Sequence, residues 1–531
     1  MEEVQNEAIK NRKDKIINWL KNPYVIIFIL IILLAVILRI IVFSQTTAQG
    51  LWWDEAEYMA KAKYIAYGHD WVDFWNPHKP ILLSLIAVPF FLSGIGEIGI
   101  RILVLLLSIA GVILIYFPVK EFFNSKKLGL FASFMLAIYW VHLFFTGRLL
   151  VELPATTFFF VFWYFFIKGV IKKENPKYIW LAGFFFGIAF MFRVVYGVIA
   201  IPIIIYVLFE EKFSILKNKH VWIGILFMLL AISPMIIFLV SEYPDDPIGE
   251  FLGFKHNRFS ESAGAMEFSG FLVYFLDLPY GLGGQSLTAK WIFTSLFIFG
   301  SLIYFSDIIF AFDKIFVSKK LRLKLFVLIF ILFLFLIWGY TRAYVEERDY
   351  LPLTIFFFGI SGLGFFKIQD IFSKYNKTIV AIIMFGLLFI GAYYNISWGF
   401  QLTEAKAISP YNSIKEAGLW IKQNSQEGDI VYSTARKQML YYTEREVLDP
   451  GMRDYGNFEN AEKPLEEMIQ ELETNKNIKY IEMDIVEKRQ ASESLYFWIQ
   501  NNSALVEPVI AWYADAQKTQ TVAVIYRFKD R

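Results

Sequence analysis

Residues 52–58 read Trp-Trp-Asp-Glu-Ala-Glu-Tyr, placing Asp54, Glu55 and Glu57 directly after an apolar run long enough to cross a bilayer. Carboxylates at the edge of lipid are costly, and chains that keep them there use them. The chemistry open to them is proton removal. A hydroxyl that attacks carbon must lose its proton, and a carboxylate at a low-dielectric boundary can take it. Asp54 and Glu55 are the candidates for that base. Glu57 stands four residues before Lys61, the spacing of a helical ion pair, and is read as structural. The alternative for the whole segment is a solvated interfacial loop anchored by Trp52 and Trp53.

Cations recur near such borders. His78 and Lys79 lie in Asn76-Pro77-His78-Lys79-Pro80, ahead of a short apolar segment. Arg148 and Glu152 share the turn Gly147–Pro154, four residues apart, so that each serves the site or the two simply pair. Arg193 interrupts the apolar stretch 179–209, as a hairpin turn or as a phosphate ligand. Arg342 and Arg348 stand among Glu346, Glu347 and Asp349, where they hold an anion or neutralise their own loop. No Gly-rich phosphate loop, Gly-x-Ser-x-Gly or His-Glu-x-x-His is present. A donor carrying phosphate is therefore expected to arrive from the bilayer rather than as a soluble nucleotide. With no cysteine in the chain, thiolate metal sites and thiol nucleophiles are excluded. Nothing in the sequence demands a cofactor, and a divalent cation (Mg or Mn) on the acids is compatible with it.

The elements that hold these residues are membrane spans. Hydrophobic residues make up 57% of 531, above the usual globular share, and they fall in long runs. We expect 11 spans at about 24–43, 99–118, 128–146, 153–170, 178–192, 194–209, 221–240, 291–310, 321–340, 352–366 and 377–398. The run Pro80–Ser93 is short and framed by prolines, and is read as interfacial or re-entrant. Lys/Arg counting then gives 23 on the N-terminal side of the membrane and 10 on the other, which places the N-terminus in the cytoplasm. The topology gathers Asp54, His78, Lys79, Arg148, Glu152, Arg193, Arg342 and Arg348 on the outer face, although nothing in the count required it. The chain is thus read as a multi-pass cell-membrane protein in two parts. Residues 1–398 form a transmembrane catalytic domain, whose first outer loop, 44–98, carries interfacial helices. Residues 399–531 form an extracytoplasmic α/β domain. Strands are expected near 429–434, 478–484, 506–512 and 522–528, with helices from Ser409 to about 425 and over 461–475 and 493–501. The net charge of +2 argues against nucleic acid.

The residues resemble the GT-C glycosyltransferases, in particular the protein O-mannosyltransferase and aminoarabinose-transferase group. The likeness rests on Asp54-Glu55, His78-Lys79-Pro80, Gly96-Glu97 with Arg101, Arg148 with Glu152-Leu153-Pro154, and Arg348-Asp349-Tyr350-Leu351-Pro352. The long outer loop joins them with Lys255-His256-Asn257-Arg258-Phe259 and Tyr274–Pro279. Ile81 stands where a second proline is common, and Glu152 where Asp is common. The resemblance implies inverting transfer of a sugar from a polyprenyl-phosphate donor to an acceptor hydroxyl on a protein, glycan or lipid. It implies Asp54 as base, with Glu55 and Glu152 beside it. Lys79, His78, Arg148, Arg193, Arg342 and Arg348 would face the donor, and His256 and Arg258 an acceptor or gating loop. The Trp-Trp-Asp motif lies in the first outer loop, not in the soluble domain as in oligosaccharyltransferases, which disfavours en bloc oligosaccharide transfer. A lipid or polysaccharide transporter or flippase is the competing reading; it would call for internal repeats and polar groups at mid-membrane.

Overall fold

The computed structural model describes residues 21–69, 79–252, 268–341, 345–407, 411–450, 465–484, 490–513 and 517–531. Its first long helix, Pro23–Thr46, shows how an apolar run becomes a span. Proline opens it, and the Asn22 side chain accepts a hydrogen bond from the Tyr24 N–H, so the start is capped. Leu30, Leu33, Ile37 and Ile40 recur three and four residues apart and are more than half exposed, while Ala35, Leu38 and Val42 are buried. A helix that leaves such a face uncovered is built to meet lipid.

Eight helices among the described residues are long and apolar enough to cross a membrane, or nine if the bent pair Lys126–Ile138 and Trp140–Thr146 is one span. The Thr354–Ala407 helix breaks at Asn376, whose φ of −158° and ψ of 107° are non-helical, and so serves as two. With Lys177–Phe192, a shorter apolar helix of 16 residues, the eleven expected segments are all helical. Leu82–Leu92 has 11 residues, about 16 Å of helix, roughly half the ~30 Å hydrocarbon core. It packs instead on the Trp53–Tyr67 helix, where the Ser84 hydroxyl donates to the Tyr58 carbonyl at 2.9 Å.

The expected straight span over 128–146 is bent by 54° at Tyr139, whose backbone is extended. The bend leaves carbonyls without their helical donors, and in lipid these must be satisfied internally. Arg39, fully buried in the first long helix, supplies the donors. It binds the carbonyls of Leu136 at 3.1 Å and Ala137 at 2.9 Å, with further bonds to Ser108 and His142. The bend is thus held by a cation 97 residues earlier in the chain.

Beyond Ala407 the chain forms an α/β layer. The strands are β1 (Ile430–Ser433), β2 (Glu446–Leu448), β3 (Ile478–Asp484), β4 (Val506–Tyr513) and β5 (Thr521–Phe528), in the order β2-β1-β3-β5-β4. β1 pairs in parallel with β2 and β3, and β5 pairs antiparallel with β3 and β4. The four expected strands are present; β2, three residues long, is additional. So is the helix Arg436–Thr443 after β1, which packs against Trp53–Tyr67 and carries the sheet onto the first outer loop.

Candidate active site

The Trp53–Tyr67 helix starts at the membrane border, and Asp54 and Glu55 occupy its first turn, where the helix dipole favours negative charge. The two acids then diverge. Asp54 faces a cleft of about 510 Å³ that is also lined by Trp52, Trp53, Glu347, Arg348 and Tyr411. Its Oδ1 accepts from Lys79 Nζ at 2.5 Å and its Oδ2 lies 3.9 Å from Arg348 Nη1. Burial is the largest influence on this carboxyl and would raise it. Lys79 opposes burial, and with Lys437 it outweighs burial and Glu57, so Asp54 sits below the ordinary aspartate value and is ionised at neutral pH.

Glu55 is fully buried and has no place in the cleft lining. Its Oε2 accepts from the Trp52 N–H at 2.8 Å, the reaching-back half of a capping box, and its Oε1 from the Leu149 N–H at 2.7 Å. Glu55 therefore braces the helix start against the Gly147–Leu150 turn. Arg148 belongs to the same brace. It stacks 3.6 Å from the Trp52 ring centroid, lies 3.8 Å from Glu55 and is 1% exposed. The four-residue pair Arg148–Glu152 is not formed. Glu152 accepts from Arg348 Nη1 at 2.8 Å instead.

Arg348 is the hub of the far wall. Its Nε and Nη2 grip the Glu346 carboxylate at 2.8 Å each, while Nη1 reaches Glu152. Arg193 is buried behind it, donating to Asp349 Oδ1 at 2.8 Å, and the Tyr274 hydroxyl holds the other oxygen at 3.1 Å. Glu347 lines the cleft with no cation within 4 Å among the described residues. His78, Arg342, His256 and Arg258 lie outside the described residues. Among those described, no three acids or histidines stand together as a metal ligand set.

Two members of the cluster, Glu57 and Lys437, were not assigned to the site from the sequence. Glu57, read as the partner of Lys61, does lie 3.6 Å from it, but it also lies 3.7 Å from Lys79 and pairs most closely with Lys437. Burial pushes Glu57 up, yet Lys437, Lys79 and Lys61 together hold it well below the glutamate range. Burial also pulls Lys61 down to about 8, against the pull of Glu57. Lys437 comes from the C-terminal layer, and no local pattern marks it.

Residues 77–238 match the family model described as dolichyl-phosphate-mannose-protein mannosyltransferase. Among solved structures the fold is similar to ArnT from Cupriavidus metallidurans bound to undecaprenyl phosphate. That likeness has 13% identity, covers 95% of this chain and 98% of that one, and has a TM-score of 0.61. The chain has a GT-C fold. Another GT-C structure, the Archaeoglobus fulgidus oligosaccharyltransferase complex with zinc and sulfate, matches at 14% identity and a TM-score of 0.53. There the likeness covers 93% of this chain and 73% of that chain. No curated protein sequence matches. The family match opens just ahead of His78-Lys79-Pro80 and takes in Arg148, Glu152 and Arg193. Within the GT-C fold, Arg101 of the Gly96-Glu97 motif is a clamp: it pairs with Glu97 at 2.7 Å and donates to the Gly147 carbonyl at 2.9 Å.

Proposed function

We propose that the chain is an integral-membrane inverting glycosyltransferase that moves a sugar from a polyprenyl-phosphate donor to an acceptor hydroxyl. The N-terminus is cytoplasmic, the catalytic cleft lies on the outer face, residues 1–398 are the catalytic domain and residues 399–531 are extracytoplasmic. One observation carries the reading: a partly open carboxylate, Asp54, lines one cleft with Arg348 and touches Lys79, at the head of a helix that follows the first span. ArnT's undecaprenyl phosphate supports the donor class.

In this reading Asp54 takes the proton from the acceptor hydroxyl. The acceptor oxygen bonds to the anomeric carbon while the bond from that carbon to the phosphate oxygen breaks, and the electron pair leaves with the polyprenyl phosphate. A phosphate leaving group needs charge neutralisation more than protonation, so one base and several cations suffice, unlike the two carboxylates of glycoside hydrolysis. Lys79 and Arg348, the cations nearest Asp54, are assigned with His78 and Arg342 to the donor phosphate. Arg193 supports the wall through Asp349, and Arg148 supports Trp52. His256 and Arg258 are assigned to the acceptor side.

In this reading the Lys79–Asp54 contact belongs to the donor-free state. Before the donor arrives, Lys79 is spent on Asp54. A phosphate that draws Lys79 away leaves Asp54 in its buried setting with a higher proton affinity, so donor binding strengthens the base. The test is to mix purified protein with radiolabelled polyprenyl-phosphate hexoses and analyse the products. Label moving to a hydroxyl acceptor supports the reading. Label that stays on the lipid across the hexose panel argues against it.

A further inference from the structure

The C-terminal layer touches the membrane domain at the cluster that holds the candidate base. Glu57, with no exposed surface, faces three lysines: Lys437 in direct contact, Lys61 at 3.6 Å and Lys79 at 3.7 Å. Lys79 has a second and closer carboxylate in Asp54. Lys79 is therefore shared between two anions, and its position depends on how fully Glu57 is satisfied by others. Lys437 is the principal supplier. Its side chain is 5% exposed, and its Nζ lies 5.1 Å from the centroid of the Trp53 ring, beside the candidate base in sequence. The helix that bears it is fixed to the first outer loop by three further contacts. Lys63 donates to the Tyr441 carbonyl at 2.8 Å, the Leu51 N–H donates to the Tyr442 hydroxyl at 2.8 Å, and the Tyr441 hydroxyl donates to Glu97 at 3.1 Å.

We propose that Lys437 is a positioning residue: by neutralising Glu57 from the C-terminal layer it leaves Lys79 on Asp54, so that this layer is a working part of the catalytic centre. A buried carboxylate that loses its partner recruits the nearest remaining cation, because an uncompensated charge in a low dielectric is expensive. Without Lys437, Glu57 draws on Lys61 and Lys79, which stand almost equally near. Lys79 then moves off Asp54. The inference rests on Asp54 being the base of the proposed transfer, but its test does not need turnover.

Among the described residues, the charged groups facing Asp54 are Lys79, Glu57, Lys437 and Arg348, with Glu152 behind Arg348 and Glu346 and Glu347 lining the same cleft. Dicyclohexylcarbodiimide labels protonated carboxyls, and mass spectrometry resolves which one reacts. Moving Lys79 away should raise the protonated fraction of Asp54, by about tenfold for each unit of its shift. In Lys437→Met we expect Asp54 labelling to rise about tenfold, with Glu55 and Glu152 unchanged and Lys437→Arg close to the parent. In a Lys79→Met background, Lys437→Met should add only the smaller rise that its own field on Asp54 supplies. Unchanged Asp54 labelling in Lys437→Met would overturn the proposal, with Lys61 taking over the neutralisation. A rise of equal size in the Lys79→Met background would also overturn it, since Lys437 would then act through its own field. Labelling that rises at Glu55 and Glu152 as well would reduce Lys437 to a folding contact. Undecaprenyl-phosphate binding by the parent is measured separately. A parent that does not bind it sinks the donor reading and leaves the labelling result standing.

Discussion

Ion pairs crowd both ends of the helix bundle, yet the most deeply buried of those among the described residues gather at one. At the end that carries the cleft, Glu57, Lys437, Arg193 and Asp349 have side chains at most 9% exposed, and Asp54 and Lys79 keep a third or less of theirs open. Their partners lie 25 to 380 residues apart and join separate elements. At the opposite end, Lys320 meets Asp307 with side chains 76% and 44% exposed and Lys173 meets Glu211 at 59% and 26%, while Arg322 and Glu210, at 16% and 11%, are the more enclosed pair there. Exposed pairs of that kind contribute about 0–1 kcal/mol each and are replaced freely. Buried ones need not stabilise at all when set against apolar packing. The transfer proposed above gives the pairs buried at the cleft end a chemical role that packing alone does not require.

The comparison can be broken first at Asp54. Asp54→Asn should reduce transfer by about 10²–10⁴-fold while the protein stays folded and binds undecaprenyl phosphate, because only the proton acceptor is lost. Near-parental turnover would move the base to Glu347 or Glu152.

Arg193→Met should lower stability by about 3–5 kcal/mol, since it removes the Arg193 half of a buried pair with Asp349. Arg193→Met/Asp349→Leu should recover much of that loss in thermal melts, and failure to recover would mean that the pair is not the unit described. Lys320→Ala at the exposed end should change the same melts by less than about 1 kcal/mol.

Lys79→Met sharpens the electrostatic half of the comparison. Lys79 is the strongest opponent of burial at Asp54, so its removal lets burial raise the carboxyl. A base must be ionised to act, so the acid limb of the activity profile should move to higher pH in this variant. In the parent, Asp54 is held below its ordinary value, and activity should persist to lower pH. An unmoved acid limb would show that the limb does not report Asp54.

Orientation is the mildest test, since it leaves activity alone. The chain has no cysteine, so Tyr375→Cys, 85% exposed beside the Asn376 break, and Glu473→Cys, exposed in the C-terminal layer, should react with an impermeant thiol reagent from opposite sides. Labelling from one side would separate the C-terminal layer from the outer face.

Much of this was legible in the sequence because it follows from length and charge. Runs of about twenty apolar residues announce spans, and Pro80–Ser93 is too short to be one. Counting Lys and Arg was enough to bring Asp54, Lys79, Glu152 and Arg348 to one face. The break at Tyr139 was hidden because nothing polar marks it; the compensating Arg39 lies on another helix. Glu55 was read as a second acid because a capping box is usually announced by Ser or Thr, and here Trp52 stands in that place. The helix Arg436–Thr443 has eight residues and little apolar periodicity, so it gave no signal. With it went Lys437, which reaches Glu57 from 380 residues away.

The central claim is that the buried cluster moves a sugar from a polyprenyl phosphate. The direct measurement gives detergent-purified protein radiolabelled undecaprenyl-phosphate hexoses with candidate hydroxyl acceptors, and follows both the label and the released lipid phosphate. Equal amounts of glycosylated acceptor and free undecaprenyl phosphate are expected, with inversion at the anomeric carbon and both products reduced by about 10²–10⁴-fold in Asp54→Asn. Retention at that carbon, or the same products from Asp54→Asn as from the parent, would contradict it.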